Sequence, residues 1–277
     1  RRCVFMEKSC FICPVCGAEL ERDAKAYRCN NGHCFDIAKK GYVNLLMSQS
    51  SSQHGDSKEM IASRAEFLNR GFYDKLSAEI CNCVLKYAPQ NARVLDAGCG
   101  ECKYTFDVSN RLSSAGKCAE VIGIDISKEA LAFSRRRGSG LSLAVASTAD
   151  LPLANESVDV LISIFAPFSP GEFSRVLKDS GVIIRAYPLA RHLWELKELI
   201  YEKPYENPAL PDEEGLVLCD ERELKYKIDL ESSADILSLF EMTPYFHRTS
   251  QSDKEKLLTC NRLSCSAEFG IAIYKTV

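Results

Sequence analysis

No apolar run in this 277-residue chain approaches the roughly 18 residues that a membrane-spanning helix requires. Nor does a charged, apolar and small-residue succession of the secretory kind open it. The expectation is a protein of the cytoplasm with no membrane partner. An excess of one charge is lacking too. The 35 Lys and Arg stand against 38 Asp and Glu, a net −3, which argues against a protein that coats nucleic acid. Compositional extremes are missing as well. Hydrophobic residues at 46% and charged residues at 26% exclude a disordered chain, a collagen and a coiled-coil rod. No internal repeat is visible.

What the chain does have is cysteine, fourteen of them. Without a secretory leader these read as reduced thiols and metal ligands rather than a disulfide framework. The length suits about two domains or one large α/β unit. Charge is also unevenly spread. Residues 1–50 hold eight bases against five acids, and residues 195–235 hold thirteen acids against five bases. A basic head can present a local cationic surface to a phosphate backbone although the whole chain is mildly acidic.

Three segments follow from the patterning. Residues 1–10 show no periodicity, and Met6 is a candidate natural start. Residues 11–46 are dense in Cys, Gly and charge and are expected to form a compact module. Residues 47–57 are polar and aperiodic, a linker. Residues 58–277 form the third segment. Apolar spacing predicts two helices broken at Gly71 across residues 58–87. Strands are predicted at 92–97, 119–124, 141–146, 158–165 and 181–187, with helices at 104–112, from Ser127 to Arg137, from Pro170 to Leu177 and at 191–201. This βαβα succession implies a parallel, doubly wound α/β sheet. Residues 202–220, rich in Pro and acid, read as an irregular excursion. Strands at 224–230 and 269–274 and a helix near 233–242 complete the sheet.

The first chemical constellation is Cys13-Pro-Val-Cys16, twelve residues, then Cys29-Asn-Asn-Gly-His33. Two short-loop pairs bring four soft donors onto one Zn²⁺, and Glu19–Tyr27 is long enough for a hairpin between them. A block of this size has too little apolar area to fold alone, so the metal would supply much of its stability. Four protein ligands leave no open coordination position, which makes the zinc structural. Cys13, Cys16, Cys29 and His33 are the favoured ligands, with Cys34 as the alternative fourth and Cys10 as a further rival. Cys81, Cys83, Cys260 and Cys265 lack a partner pair and read as ordinary thiols, and His54 and His247 have no interpretable context.

The second is Val94-Leu-Asp-Ala-Gly-Cys-Gly-Glu101, a strand running into a glycine loop. A dinucleotide fingerprint would place its last glycine where Lys103 stands. Instead Asp96 sits two residues before Gly98, the pattern of S-adenosylmethionine (SAM) loops. That cofactor has no phosphate to seat. It offers an ammonium and ribose hydroxyls, which acids suit. Asp125, closing the next strand, is placed to accept hydrogen bonds from both ribose hydroxyls. Asp150 lies where adenine-contacting residues occur. Cys102 replaces a third glycine and would crowd the methionine end of the cofactor.

Zinc module, linker and SAM fold in that order resemble the bacterial 23S rRNA (guanine-N1)-methyltransferase family. The resemblance is carried by the two metal pairs, Phe35-Asp-Ile-Ala-Lys-Lys-Gly-Tyr-Val-Asn-Leu-Leu46, Gly55-Asp-Ser57 with Met60, and Phe67-Leu-Asn-Arg-Gly-Phe-Tyr73. Val94–Glu101, Ala166-Pro167 and Pro188-Leu-Ala-Arg-His-Leu-Trp-Glu-Leu-Lys197 extend it. It implies a class I SAM-methyltransferase sheet with a small N-terminal zinc-binding module. It also implies methylation of a guanine N1 in a hairpin loop of 23S rRNA, by a homodimer whose zinc module helps grip the RNA. By the same resemblance Tyr73, Gly100, Glu101 and His192 match cofactor contacts. Lys178-Asp-Ser-Gly181 departs from the family's Pro-Gly-Gly turn.

Guanine N1 carries a proton and lies on the Watson–Crick edge, so the target must be unpaired and its proton removed. Phe165 or Phe168 is the expected base contact, with burial in the core as the alternative. His192 is a candidate base, with a structural role as the alternative. Lys39, Lys40, Arg64 and Arg70 are expected at the RNA surface, whereas Arg135–Arg137 read as a solvated helix end. A SAM methyltransferase of small molecules, and a nonenzymatic zinc- and RNA-binding protein, are the competing functions.

Overall fold

A computed structural model describes residues 7–47, 57–138, 140–246 and 249–277. Met6, His54, His247 and the linker apart from its two end residues lie outside the described residues. Strands β1 (Glu7–Ile12), β2 (Glu19–Arg22), β3 (Ala26–Arg28) and β4 (Cys34–Asp36) form an antiparallel sheet in chain order. The expected hairpin is β2–β3. A short strand, β5 (Tyr42–Asn44), leads away from it.

Beyond Ser57 the chain alternates. Helices α1 (Lys58–Asn69) and α2 (Asp74–Tyr87) flank the break at Gly71. Then come β6 (Arg93–Ala97), α3 (Lys103–Ser114), β7 (Glu120–Asp125), α4 (Lys128–Ser134), β8 (Ser142–Val145), β9 (Val158–Ile164), α5 (Pro170–Val176) and β10 (Leu177–Pro188). The tail is α6 (Trp194–Ile200), β11 (Leu216–Leu230), α7 (Ser233–Glu241), α8 (Gln251–Leu258) and β12 (Leu263–Thr276). Serine side chains cap several helix starts: Ser57 accepts from the Met60 N–H, Ser127 from Ala130 and Ser232 from Asp235, each at 3.2 Å. Each cap satisfies an amide that the first helical turn leaves without a partner.

The large sheet has the order β11-β12-β10-β9-β6-β7-β8-β5. Neighbours from β5 to β10 pair in parallel, and β12 runs antiparallel to both β10 and β11. The sheet is therefore mixed rather than wholly parallel. From β6 the chain winds outward through β7 and β8, then returns to β9 on the other side. The switch point lies at the carboxyl ends of β6 and β9, where open α/β sheets bind ligands.

Strand periodicity of two divides the core. Val94, Val160, Ile162 and Ile184 face one cluster with residues of α2, α3, α6 and α7. Leu95, Leu161 and Ile183 face the other, with Phe173 and Val176 of α5. That second cluster also contains Phe11, Cys13, Leu20, Tyr27, Cys29 and Val43. The cysteine-rich block thus covers part of the sheet as a helix would.

The block at 11–46 is joined to the sheet: β5 pairs with β8 inside it, and the Ile12 N–H donates to the Pro152 carbonyl at 2.9 Å. Two expectations need correction. The excursion after residue 202 ends at Leu216, where β11 begins, rather than at Asp220. Helix α8 has no counterpart in the sequence reading.

Candidate metal centre and cofactor crevice

Two knuckles form the metal centre. The Gly17 N–H donates to the Cys13 carbonyl at 2.8 Å, and the Gly32 N–H to the Cys29 carbonyl at 3.0 Å. Both glycines hold positive φ, +71° and +86°, which the tight turns require and which L side chains adopt only at a cost. The ligand atoms of Cys13, Cys16, Cys29 and His33 all lie within 4.8 Å of one another. Cys16 Sγ is 3.8 Å from Cys29 Sγ, and His33 Nδ1 is 3.5 Å from Cys13 Sγ and 3.4 Å from Cys29 Sγ. A tetrahedron with Zn–S bonds of about 2.3 Å and Zn–N bonds of about 2.0 Å has edges of about 3.8 Å and about 3.5 Å. The donor set fits zinc, bound through His33 Nδ1.

The rivals fall away on position. Cys34 is exposed on β4, and Cys10 is buried beneath the block, where burial and the nearby Glu120 push its thiol well above the usual range. The Asn31 amide donates to Cys16 Sγ at 3.3 Å, and this donor leads in holding the thiol down to about 6, so the thiolate that zinc needs is favoured. The thirteen described cysteines form no disulfide.

At the switch point the loop from β6 to α3 is tied to β7. The N–H groups of Gly98 and Cys99 donate to the Ile124 carbonyl at 2.8 and 3.0 Å. Gly98 has φ +88°, and a side chain there would stand 2.4 Å from the Ala166 Cβ. Only glycine fits. Asp125 Oδ2 accepts from the Gly100 N–H and Oδ1 from the Ser127 N–H, both at 2.8 Å.

Asp96 is 2% exposed; Thr105 donates to its Oδ2 at 2.6 Å, and its Oδ1 is buried with no hydrogen-bond partner. Burial, reinforced by the charges of Asp125 and Glu101, pushes its carboxyl up to about 7 against the opposing Thr105 bond. An orphaned acid oxygen beside an open-backbone loop suits a cationic, hydrogen-bonding ligand such as SAM. Glu101 is already engaged. Arg137 donates from Nε to its carbonyl and from Nη2 to its carboxylate, both at 3.1 Å.

Cys102 holds the left-handed conformation (φ +66°, ψ +27°) that makes glycine common at its position, a strain of about 1–2 kcal/mol for an L-residue. Its thiol does not project into the crevice. It is fully buried among Phe106, Leu131, Leu143 and Val145, 3.6 Å from Cys99 Sγ. The expected crowding does not arise.

His192 and Tyr73 meet behind the loop. His192 Nδ1 accepts the Glu268 N–H at 3.1 Å, which leaves the proton on Nε2, 3.4 Å from the Tyr73 hydroxyl. Burial, with the charge of Lys197, pushes His192 down to about 3. It is a neutral hydrogen-bond donor toward Tyr73. Because Tyr73 Oη accepts from it, the tyrosine O–H is left to donate elsewhere. Both rings pack on Phe269, at 4.9 Å (Tyr73) and 4.7 Å (His192).

Phe165 follows β9, whose seven residues are all buried, yet it is 46% exposed with φ +54°. Its ring lies 5.7 Å from that of Phe269. Phe168 is instead half-buried and packed on the core, against Phe173 at 5.0 Å and under the Arg185 guanidinium at 4.0 Å. Asp150 is exposed beyond β8. Arg70 pairs with the buried Asp235 and is structural. Arg64, expected at the RNA surface, brings Nη1 to 3.6 Å from where a Gly100 side chain would stand, so it belongs to the loop. No sequence signal singled out that contact.

No helix among the described residues is long and apolar enough to cross a membrane. Residues 11–53 match the zinc-ribbon model described as RlmA, N-terminal, and residues 88–240 match a model described as a methyltransferase domain. A Micromonospora griseorubida protein bearing the name 23S rRNA (guanine-N1)-methyltransferase is 39% identical over 66% of this chain and 67% of its own length. One of the same name from Bacillus subtilis is 31% identical over 85% of this chain and 86% of its own. The 23S rRNA (guanine(748)-N1)-methyltransferase of Streptomyces fradiae is 33% identical over 68% and 66%. With a Cys3His cluster of zinc dimensions in its N-terminal block and a glycine loop at the switch point of its sheet, the chain belongs to the 23S rRNA (guanine-N1)-methyltransferase family.

Proposed function

We propose that this enzyme methylates N1 of a guanine in a hairpin loop of 23S rRNA, using SAM held at the carboxyl end of β6. The observation that carries the reading is the buried, unpartnered Oδ1 of Asp96 beneath a loop where Gly98 admits no side chain. When bound, SAM supplies an electrophilic methyl group. Asp96 would receive its cationic amino-acid end, and Asp125, at the carboxyl end of β7, the ribose hydroxyls. The backbone of Gly98 and Gly100 lets the ligand approach closely. Tyr73, oriented by His192, offers its hydroxyl, and Glu101 is steadied by Arg137. In-line transfer depends chiefly on such positioning.

On the acceptor side, Phe165 is the platform on which the unpaired guanine stacks. An aromatic left 46% exposed in a strained backbone conformation just beyond β9 keeps a ring face open for stacking. The zinc is structural and fixes the basic block against the sheet. The resemblance supports a homodimer, for which light scattering is the test, and a ribosomal substrate supports work in the cytoplasm.

The deciding experiment is transfer of tritiated methyl to unmodified large-subunit rRNA, followed by primer extension to find the blocked guanine. Free guanosine accepting methyl as well as rRNA does would overturn the reading.

A further inference from the structure

Arg135, Arg136 and Arg137 follow α4 in direct succession, and the structure gives each a different engagement. Arg135 Nη1 donates to the Lys39 carbonyl, in the turn between β4 and β5. Arg136 lays its guanidinium over the Phe133 ring, 4.4 Å from the centroid. Arg137 is consumed by Glu101 and by Asn69 Oδ1 at 2.9 Å. The turn at Lys39 and Lys40 is itself closed by a Gly41 N–H bond to the Ala38 carbonyl at 2.8 Å. Two turns distant in sequence are thus joined, one from the zinc block and one from the methyltransferase sheet.

Beside them lies a cavity of about 410 Å³ whose lining includes Lys103, Asn110, Phe133, Arg136 and Arg137. Lys103 is neutralised by Asp107 and Asp74, and Arg137 by Glu101. Among the described residues, Arg135, Arg136, Lys39 and Lys40 form no ion pair with a carboxylate. All four are exposed. Uncompensated cations on a solvated helix end would be expected to move independently. Here Arg135 is pinned by a hydrogen bond and Arg136 by a stacked ring, so less freedom remains to be lost on binding.

We propose that these two turns form one surface for the RNA phosphodiester backbone, with Arg136 at the cavity mouth and Lys39 and Lys40 continuing the track over the zinc block. The inference rests on the rRNA reading and deepens it. Fixed guanidiniums suit phosphate oxygens, and the turn's third arginine braces the cofactor loop at Glu101. RNA held there would pass within one side chain of that loop.

The test uses the full-length protein and an in vitro transcribed 23S rRNA fragment. Two double variants, Arg135→Ala with Arg136→Ala and Lys39→Ala with Lys40→Ala, are titrated by filter binding across a salt series. Each lost phosphate contact should flatten the slope of log affinity against log salt by about 0.7–0.9. Affinity at low salt should fall about tenfold for either pair, and Arg136→Lys should recover part of it. Zinc content and SAM affinity measured alongside report the fold. Wild-type slope and affinity in both folded variants would overturn the surface while leaving the function standing. A wild-type protein that neither binds nor methylates rRNA would take both down together.

Discussion

Asp125 carries an unusual share of the crevice for a single side chain. It accepts from Gly100 and Ser127, and so links the end of β7 to the glycine loop and to the start of α4. Asp125→Ala removes both acceptors together with the proposed ribose contact. At about 1.5–3 kcal/mol for each charge-assisted bond, calorimetry should show SAM affinity reduced by at least about 100-fold. Asp96 gives a pH signature. Its folded carboxyl is pushed up to about 7, above an unfolded value near 4, so the protonated acid is favoured in the fold. That stability is complete below about pH 4 and is lost as pH rises through about 7. A cation seated against Asp96 favours the carboxylate, so SAM binding should release up to about one proton below pH 7 and progressively fewer above it. Calorimetry in two buffers of different ionisation enthalpy measures this, and identical heats would remove Asp96 from the cofactor contact. At Phe165, base stacking worth about 1–3 kcal/mol predicts that Phe165→Ala weakens rRNA use by about five- to 150-fold. SAM affinity should hold, and Phe165→Tyr should restore the loss.

Elements add what no single residue can. Strand β2 sends Leu20, fully buried, from the zinc block into the cluster beneath Leu95 and Leu161. Leu20→Ala should cost about 2–5 kcal/mol, read as a lower urea midpoint for the whole protein although the residue is far from the cofactor loop in sequence. The strands flanking the crevice were legible because β6 and β9 are short apolar runs between turn residues, and Ser127 announced α4. The ligand spacing gave the metal centre for a similar reason, since both knuckles are local. Three residues, Tyr42-Val-Asn44, gave no sign of joining the large sheet, because their partner β8 lies about 100 residues onward. The first half of β11 buries nothing fully, with Val217, Leu218 and Cys219 exposed in succession and acids following on an edge strand, and so read as irregular. Among its described residues helix α8 offers Leu257 alone to the core, too little for a periodic signal. The hydrogen bond that assigns the proton to Nε2 of His192 comes from Glu268, another non-local partner.

At the scale of the molecule the zinc block and the methyltransferase sheet share one apolar core. Cys13 and Cys29, two of the proposed zinc ligands, lie in the same cluster as Leu95, Leu161, Ile183 and Phe173. The Phe11–Leu153 bridge and the β5–β8 ladder add backbone links across that boundary. A metal that merely stabilised an appended module would leave the sheet's melting unchanged when removed. Here its loss should release the knuckles, loosen β1 and β2, and open the sheet face that they cover. The expected stoichiometry is one zinc per chain by atomic absorption, lost in Cys16→Ser. Chelation or that substitution should lower the temperature at which the sheet itself melts and weaken SAM binding, even though no ligand touches the crevice. Near- and far-ultraviolet circular dichroism should follow one coincident transition in the zinc-loaded protein. Two separated transitions, with the second unmoved by chelator, would mean that the shared cluster does not couple the block to the sheet.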